Sequence, residues 1–122
     1  MEKRERICIV GDGGWGTALA LLLHKNGHKV TVWSAFPGYA TFLQKKRENK
    51  KFLPGIKIPK AITITSDIHT AIERNTIIVF AVPTQFIRSV MKKIKDISFD
   101  NKICVNVAKG IENSTFLTPD QI

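Results

Sequence analysis

The sequence predicts an α/β fold, a doubly wound parallel sheet in the strand order 3-2-1-4-5 with helices on both faces. Three observations carry this. Apolar runs of strand length alternate with segments of helical periodicity along the chain. The strand runs are apolar throughout rather than alternating, as a parallel sheet covered on both sides requires. A glycine-rich turn joins the first strand to the first helix, and right-handed crossovers then fix the winding.

The elements follow in order. Strand one covers Arg6–Val10, whose run Ile7-Cys8-Ile9-Val10 has no polar member. The first helix runs from Trp15 to Asn26, with Trp15, Leu19, Leu22 and Leu23 on one face. Gly27 stops it, and His24 and Lys25 suit its negative end. Strand two is Lys29–Trp33, followed by a short helix over Tyr39–Lys46. Arg47 to Lys60 reads as irregular, broken by Pro54, Gly55 and Pro59. Strand three is Ala61–Thr65, and Ser66 or Asp67 caps a short helix through Arg74. Strand four, Ile77–Val82, ends at Pro83. A helix from Thr84 to Lys95 places Phe86, Ile87, Val90, Met91 and Ile94 on its inner side, and strand five is Ile103–Val107. Thr118-Pro119-Asp120-Gln121 has the form of a helix start, so the chain reads as the front part of a longer protein, an incomplete N-terminal domain over 1–122.

Composition narrows the class. A chain of 122 residues with 43% hydrophobic and 24% charged residues is one soluble globular domain at most. The longest apolar run, Ala18–Leu23, is too short to span a bilayer, and the residues before strand one leave no room for a signal peptide; membrane insertion is not expected and the cytoplasm is. Cys8 and Cys104 both sit in apolar strand runs without a CxxC partner and are expected as buried, reduced thiols. No metal site is expected. The net charge is +9, and Lys45, Lys46, Arg47, Lys50, Lys51, Lys57 and Lys60 supply much of it. That segment suits an anionic ligand or is a solvated lysine-rich loop; charge alone does not separate the two. It holds Phe52 as its one aromatic and no nucleic-acid-binding motif, so nucleic acid is not an expected partner.

The chemistry is carried by Gly11-Asp12-Gly13-Gly14-Trp15-Gly16. A G-x-G-x-x-G between strand and helix is the dinucleotide-binding fingerprint of the Rossmann fold. Gly11 makes the tight turn, Gly13 lets the pyrophosphate approach bare backbone, and Gly16 lets helix and strand pack closely. The free N–H groups and positive dipole end of the helix favour phosphate. An acidic residue is expected about 20 residues later to hold the ribose of NAD. Here strand two ends Trp33-Ser34-Ala35-Phe36, without one. Ser34 suits either a hydroxyl or a phosphate, so the cofactor is NAD or NADP, and a protein accepting both is expected.

Four motifs in this order resemble bacterial-type NAD(P)-dependent glycerol-3-phosphate dehydrogenase. They are Gly11–Ala20; Asn26-Gly27-His28 leading to Val32-Trp33; Phe52-Leu53-Pro54-Gly55-Ile56 with Ile58-Pro59; and the pair Ala81–Phe86 and Ala108-Lys109-Gly110-Ile111-Glu112. The resemblance covers almost the whole chain and implies an enzyme interconverting dihydroxyacetone phosphate and sn-glycerol 3-phosphate for glycerophospholipid synthesis. It places Trp15 and Gly14 beside the pyrophosphate, Pro83 and Phe86 against the cofactor, and Lys109 facing nicotinamide and the phosphorylated substrate. From periodicity alone Phe86 is equally a core residue, and Lys109 equally an ordinary exposed lysine. Phe52-Leu53-Pro54-Gly55 is expected as a structural loop closing over the sheet edge. The family often has a basic residue or histidine near Ala35, which this chain lacks. The resemblance also implies that the catalytic lysine lies in a helical C-terminal domain past Ile122. No catalytic residue is therefore assigned here, and the chain by itself is expected to be silent. The open edge of strand five favours self-association, with a homodimer among the expected outcomes. Rival readings are another Rossmann reductase, such as a ketopantoate reductase or a sugar-nucleotide dehydrogenase, or a non-catalytic nucleotide-binding module. Neither enzyme rival accounts for Phe52-Leu53-Pro54-Gly55 together with Lys109-Gly110-Ile111-Glu112.

Overall fold

The most uniformly apolar strand-length runs, Ile7–Val10 and Ile77–Phe80, lie side by side at the middle of a sheet. The computed structural model describes residues 4–108. In chain order these form β1 (Arg6–Val10), α1 (Gly14–Lys25), β2 (Lys29–Trp33), α2 (Pro37–Lys46), β3 (Glu48–Asn49), β4 (Leu53–Lys57), β5 (Thr63–Thr65), α3 (Ile68–Glu73), β6 (Ile77–Phe80), α4 (Thr84–Lys93) and β7 (Ile103–Asn106). The main sheet has the order β5-β2-β1-β6-β7, every pair parallel. With β5, β6 and β7 as strands three, four and five, this is the expected 3-2-1-4-5 winding. Lys109-Gly110-Ile111-Glu112 and the segment 118–121 lie outside the described residues.

The two-residue period of the strands divides the core into two layers. Cys8, Val10, Ile78 and Phe80 pack with Ile72 of α3 and Ile87 and Val90 of α4. Ile7, Ile9, Val30, Val32, Ile64 and Val79 face the other way, against Ala20 of α1 and Ala40 and Leu43 of α2. Strands apolar on both faces are thus covered on both faces.

Local signals set most boundaries. Asp67 is the cap of α3, accepting from the Thr70 amide at 3.3 Å and the Thr70 hydroxyl at 2.8 Å. Those two bonds hold its carboxyl below the usual range. At the end of α1 the Gly27 amide bonds the His24 carbonyl and the His28 amide that of Leu23, the 6→1 pattern of a glycine-ended helix.

Four expectations are corrected. The inner face of α1 is small rather than large: Gly16, Thr17 and Ala20 are buried while Trp15 and Leu22 are exposed. A Cβ on Gly16 would lie 2.6 Å from the Gly11 carbonyl oxygen, so α1 sits too close to the turn for large side chains between them. Within 47–60, β3 and β4 pair as an antiparallel ribbon, Glu48 opposite Lys57 and Asn49 opposite Leu53, where irregular chain was expected. Polar residues and a two-residue strand give that pairing no periodic signal. Cys8 is buried, and burial pushes its thiol up to about 12, but Cys104 is exposed because β7 is the edge strand of the described sheet. On α4, Ile87 and Val90 are buried but Phe86 is not.

Candidate cofactor-binding site

The site is built where β1, β2 and β6 end. Gly11 leaves β1 with φ +131°, a conformation glycine tolerates and other residues rarely adopt; a Cβ there would also lie 3.0 Å from the Ala81 carbonyl carbon. The chain then turns into α1. Gly13 is its N-cap, no side chain caps the helix, and no acidic residue stands in its first turn. The orphan amides of this end are therefore left for an anion. A Cβ on Gly13 would meet nothing within 4 Å, so its missing side chain opens onto space rather than onto protein.

Two concavities meet at this turn. One, of about 540 Å³, runs over Gly11–Gly13 toward β2 and α2. The other, of about 440 Å³, runs over Gly13–Trp15 toward Val107 and Ala108. Both share Gly13 and the segment Ala81-Val82-Pro83, making one groove across the carboxyl ends of the strands. Its walls carry the four large exposed aromatics of the described residues: Trp15 and Phe86, each 59% exposed, with Phe36 and Phe52. Exposed aromatics gathered on one concave surface mark a binding site rather than stray surface residues.

The groove is held open by a buried polar knot. Asn49, fully buried, donates from Nδ2 to the Asp12 carbonyl (2.6 Å) and to Thr17 Oγ1 (2.9 Å). Its Oδ1 accepts from the Tyr39 hydroxyl and from the Phe52 amide (3.2 Å). An asparagine amide has two donors and two acceptor sites, so this one is saturated. It ties the glycine turn, α1, α2 and the β3–β4 ribbon to one point. Tyr39 also stacks on Phe42 and meets the Phe52 ring edge-on. Burial raises the Tyr39 phenol above its ordinary range, the Lys51 amide opposes this, and the negative Asp12 adds to the rise.

The structure brings most of the expected residues together. Gly11, Gly13, Gly14, Trp15, Pro83 and Phe86 line the groove. Gly16 lies beneath it, packing α1 on the turn. The carbonyl of Phe52 lies 2.8 Å from where a Gly14 Cβ would stand, so the loop of Phe52 closes over the glycine turn rather than over the sheet edge. Ser34 is different. It is fully buried, does not line the groove, and donates its hydroxyl to Asp12 Oδ2 at 2.6 Å. Lys109 lies outside the described residues; Ala108, which precedes it in the sequence, lines the groove. Sequence reasoning missed Asn49, Tyr39, Phe36 and Asp12. Among the described residues there is no group of three or more His, Cys, Asp or Glu able to hold a metal ion, and no helix long and apolar enough to cross a membrane.

Comparison with known proteins agrees with this geometry. The family model described as the N-terminus of NAD-dependent glycerol-3-phosphate dehydrogenase matches residues 6–122. A glycerol-3-phosphate dehydrogenase [NAD(P)+] of Fusobacterium nucleatum is 49% identical over 117 residues, 96% of this chain and 35% of that protein. One from Agathobacter rectalis is 45% identical over 113 residues, 93% of this chain and 34% of its own length. The crystal structure of glycerol-3-phosphate dehydrogenase from Coxiella burnetii superimposes with a TM-score of 0.84 at 28% identity, over 92% of this chain and 34% of that one. The chain spans about a third of the length of the curated relatives it matches. It belongs to the NAD-dependent glycerol-3-phosphate dehydrogenase family, in that family's N-terminal part.

Proposed function

We propose, from that membership, that this chain is the cofactor-binding part of an NAD(P)-dependent oxidoreductase interconverting dihydroxyacetone phosphate and sn-glycerol 3-phosphate. The observation that carries the reading is the groove itself: a glycine turn with uncapped helix amides at its midpoint and exposed aromatics along both arms. Bound nicotinamide supplies the hydride; the protein supplies position and charge. The amides at the start of α1 receive the pyrophosphate, with Gly13 leaving the room it needs. Trp15 and Pro83 wall the arm toward β7, which would take the nicotinamide, and Phe36, Tyr39, Phe52 and Phe86 wall the other arm, which would take the adenosine. Apolar walls exclude water from the face where hydride moves.

Lys109, by its resemblance to the family's motif, is the residue assigned to hold the substrate's phosphate or reacting oxygen. The group that moves the hydroxyl proton belongs to the rest of the protein. We place the enzyme in the cytoplasm, feeding glycerophospholipid synthesis. The test is hydride transfer by the full-length protein that carries this chain, read as loss of the NADH or NADPH absorbance band on adding dihydroxyacetone phosphate. Turnover that Lys109→Met lowers by about a hundredfold or more supports the reading, since a lost electrostatic contact at the reacting oxygen costs on that order. No turnover with this substrate, or none lost in Lys109→Met, contradicts it.

A further inference from the structure

Sheets of this winding take an acid from the end of the second strand to bind the adenosine ribose. Here that strand ends in Trp33, Ser34, Ala35 and Phe36. The carboxylate nevertheless arrives at this place, from the neighbouring strand. β1 and β2 run in register with Val10 opposite Trp33, and the Gly11 amide continues the pairing by bonding the Trp33 carbonyl at 3.1 Å. Asp12 therefore stands beside Ser34, whose hydroxyl donates to Asp12 Oδ2 at 2.6 Å.

We propose that Asp12 is the ribose-recognising and cofactor-selecting residue of this chain, binding the adenosine ribose hydroxyls of NADH and opposing the 2′-phosphate of NADPH. This rests on the dinucleotide reading of the groove and goes beyond it. The carboxylate is fixed from two sides. Ser34, fully buried, holds one oxygen, and the Asp12 carbonyl is held by Asn49 at 2.6 Å. Asp12 lines the groove, and Ser34 is the one hydrogen-bond donor its carboxylate has among the described residues, so Oδ1 is left for a ligand hydroxyl. A ribose hydroxyl donates well to such an acceptor. A 2′-phosphate has no proton to offer at neutral pH and brings a second negative charge to the same point.

Lys51 and Lys93 line the same concavity and bear on the choice. Each lies over an aromatic ring, Lys51 Nζ 5.3 Å from the Phe52 centroid and Lys93 Nζ 5.7 Å from that of Trp33. Among the described residues neither forms an ion pair with Asp12. The Asp12 carboxylate is therefore not paired directly with either lysine. On this account the residue that sets specificity is hidden inside the glycine fingerprint, where an x position is ordinarily read as free.

The test is equilibrium binding of NADH and of NADPH, separately, to the full-length protein, by fluorescence titration. Wild type prefers NADH, and Asp12→Asn, isosteric but uncharged, moves the ratio of the two dissociation constants toward NADPH by about tenfold or more, equivalent to about 1.4 kcal/mol. Asp12→Ser does the same, and covers the case in which the asparagine variant fails to fold. Ser34→Ala, which frees the carboxylate without removing its charge, weakens NADH binding. A purely structural role for Asp12 weakens both nucleotides alike and leaves the ratio unmoved, which overturns the proposal. So does a wild-type preference for NADPH that Lys51→Met or Lys93→Met abolishes. Wild-type protein that binds neither nucleotide overturns the dinucleotide reading itself, along with this inference.

Discussion

Replacing Asn49 with alanine tests whether the groove is held open by the polar knot beneath it. The side chain is fully buried and makes four hydrogen bonds. Their loss is not uniform. The Asp12 carbonyl keeps the Thr17 hydroxyl at 3.2 Å, and Tyr39 keeps the Lys51 amide at 3.3 Å. The Phe52 amide belongs to an exposed residue and can turn to water. What remains is one or two buried groups without a partner, at about 1–3 kcal/mol each, plus a small void. The expected loss is therefore about 2–4 kcal/mol of stability, read from urea denaturation with an unchanged slope. Because Asp12 and the Phe52 loop lose their common anchor, NADH affinity also falls, by about tenfold. Asn49→Asp provides a sharper comparison. It keeps the shape but turns an acceptor toward the Asp12 carbonyl and buries a charge, so it destabilises at least as much as alanine. A loss under about 0.5 kcal/mol in Asn49→Ala, the ordinary effect of a surface change, refutes the reasoning; so does an aspartate variant as stable as wild type.

Other consequences follow from exposure and charge. Phe86→Ala removes an exposed ring from the groove wall, so stability stays within about 0.5 kcal/mol while NADH binding weakens by about 1 kcal/mol; a large drop in melting temperature means Phe86 is core after all. Cys8, buried and with its thiol pushed to about 12, resists alkylation at pH 8 in the native protein and reacts on unfolding, as mass-resolved labelling will show; labelling at the denatured rate contradicts its placement. Asp67, held below its ordinary value by Thr70, contributes stability that is fully present above the unfolded carboxylate value, about 3.9, and lost as pH falls through the depressed folded value. Asp67→Ala should therefore lower the denaturation midpoint at pH 7, with the difference from wild type shrinking in acid; a pH-independent difference speaks against the cap.

What the sequence made legible is what one residue type dictates by itself. Apolar runs became the inner strands, Asp67 became a cap, and Gly11 and Gly16 stand where the turn admits no larger residue. The illegible part depends on meetings between distant segments. Asn49 contacts Asp12 across 37 residues and Tyr39 across 10, and no periodic pattern marks it among lysines and glutamates. Ser34 read as a cofactor contact because it ends β2; the parallel pairing instead turns its hydroxyl to Asp12, 22 residues away. Helical spacing put Trp15 and Leu22 on one face of α1 and left Phe86 equally a core residue, because spacing gives a face and not which face is covered. The closeness of α1 to the glycine turn decides that for Trp15, and the groove decides it for Phe86.

Everything proposed for the groove depends on whether it binds a dinucleotide over the glycine turn. The direct measurement is titration of NADH into the full-length protein and into its Gly13→Val variant, with circular dichroism on both. A Cβ at position 13 meets no protein atom within 4 Å, so a valine there projects into the open space before the amides of α1. A dinucleotide site here requires saturable binding by the wild type, loss of about a hundredfold or more in affinity in the variant, and unchanged spectra. Equal affinity in wild type and Gly13→Val would contradict it.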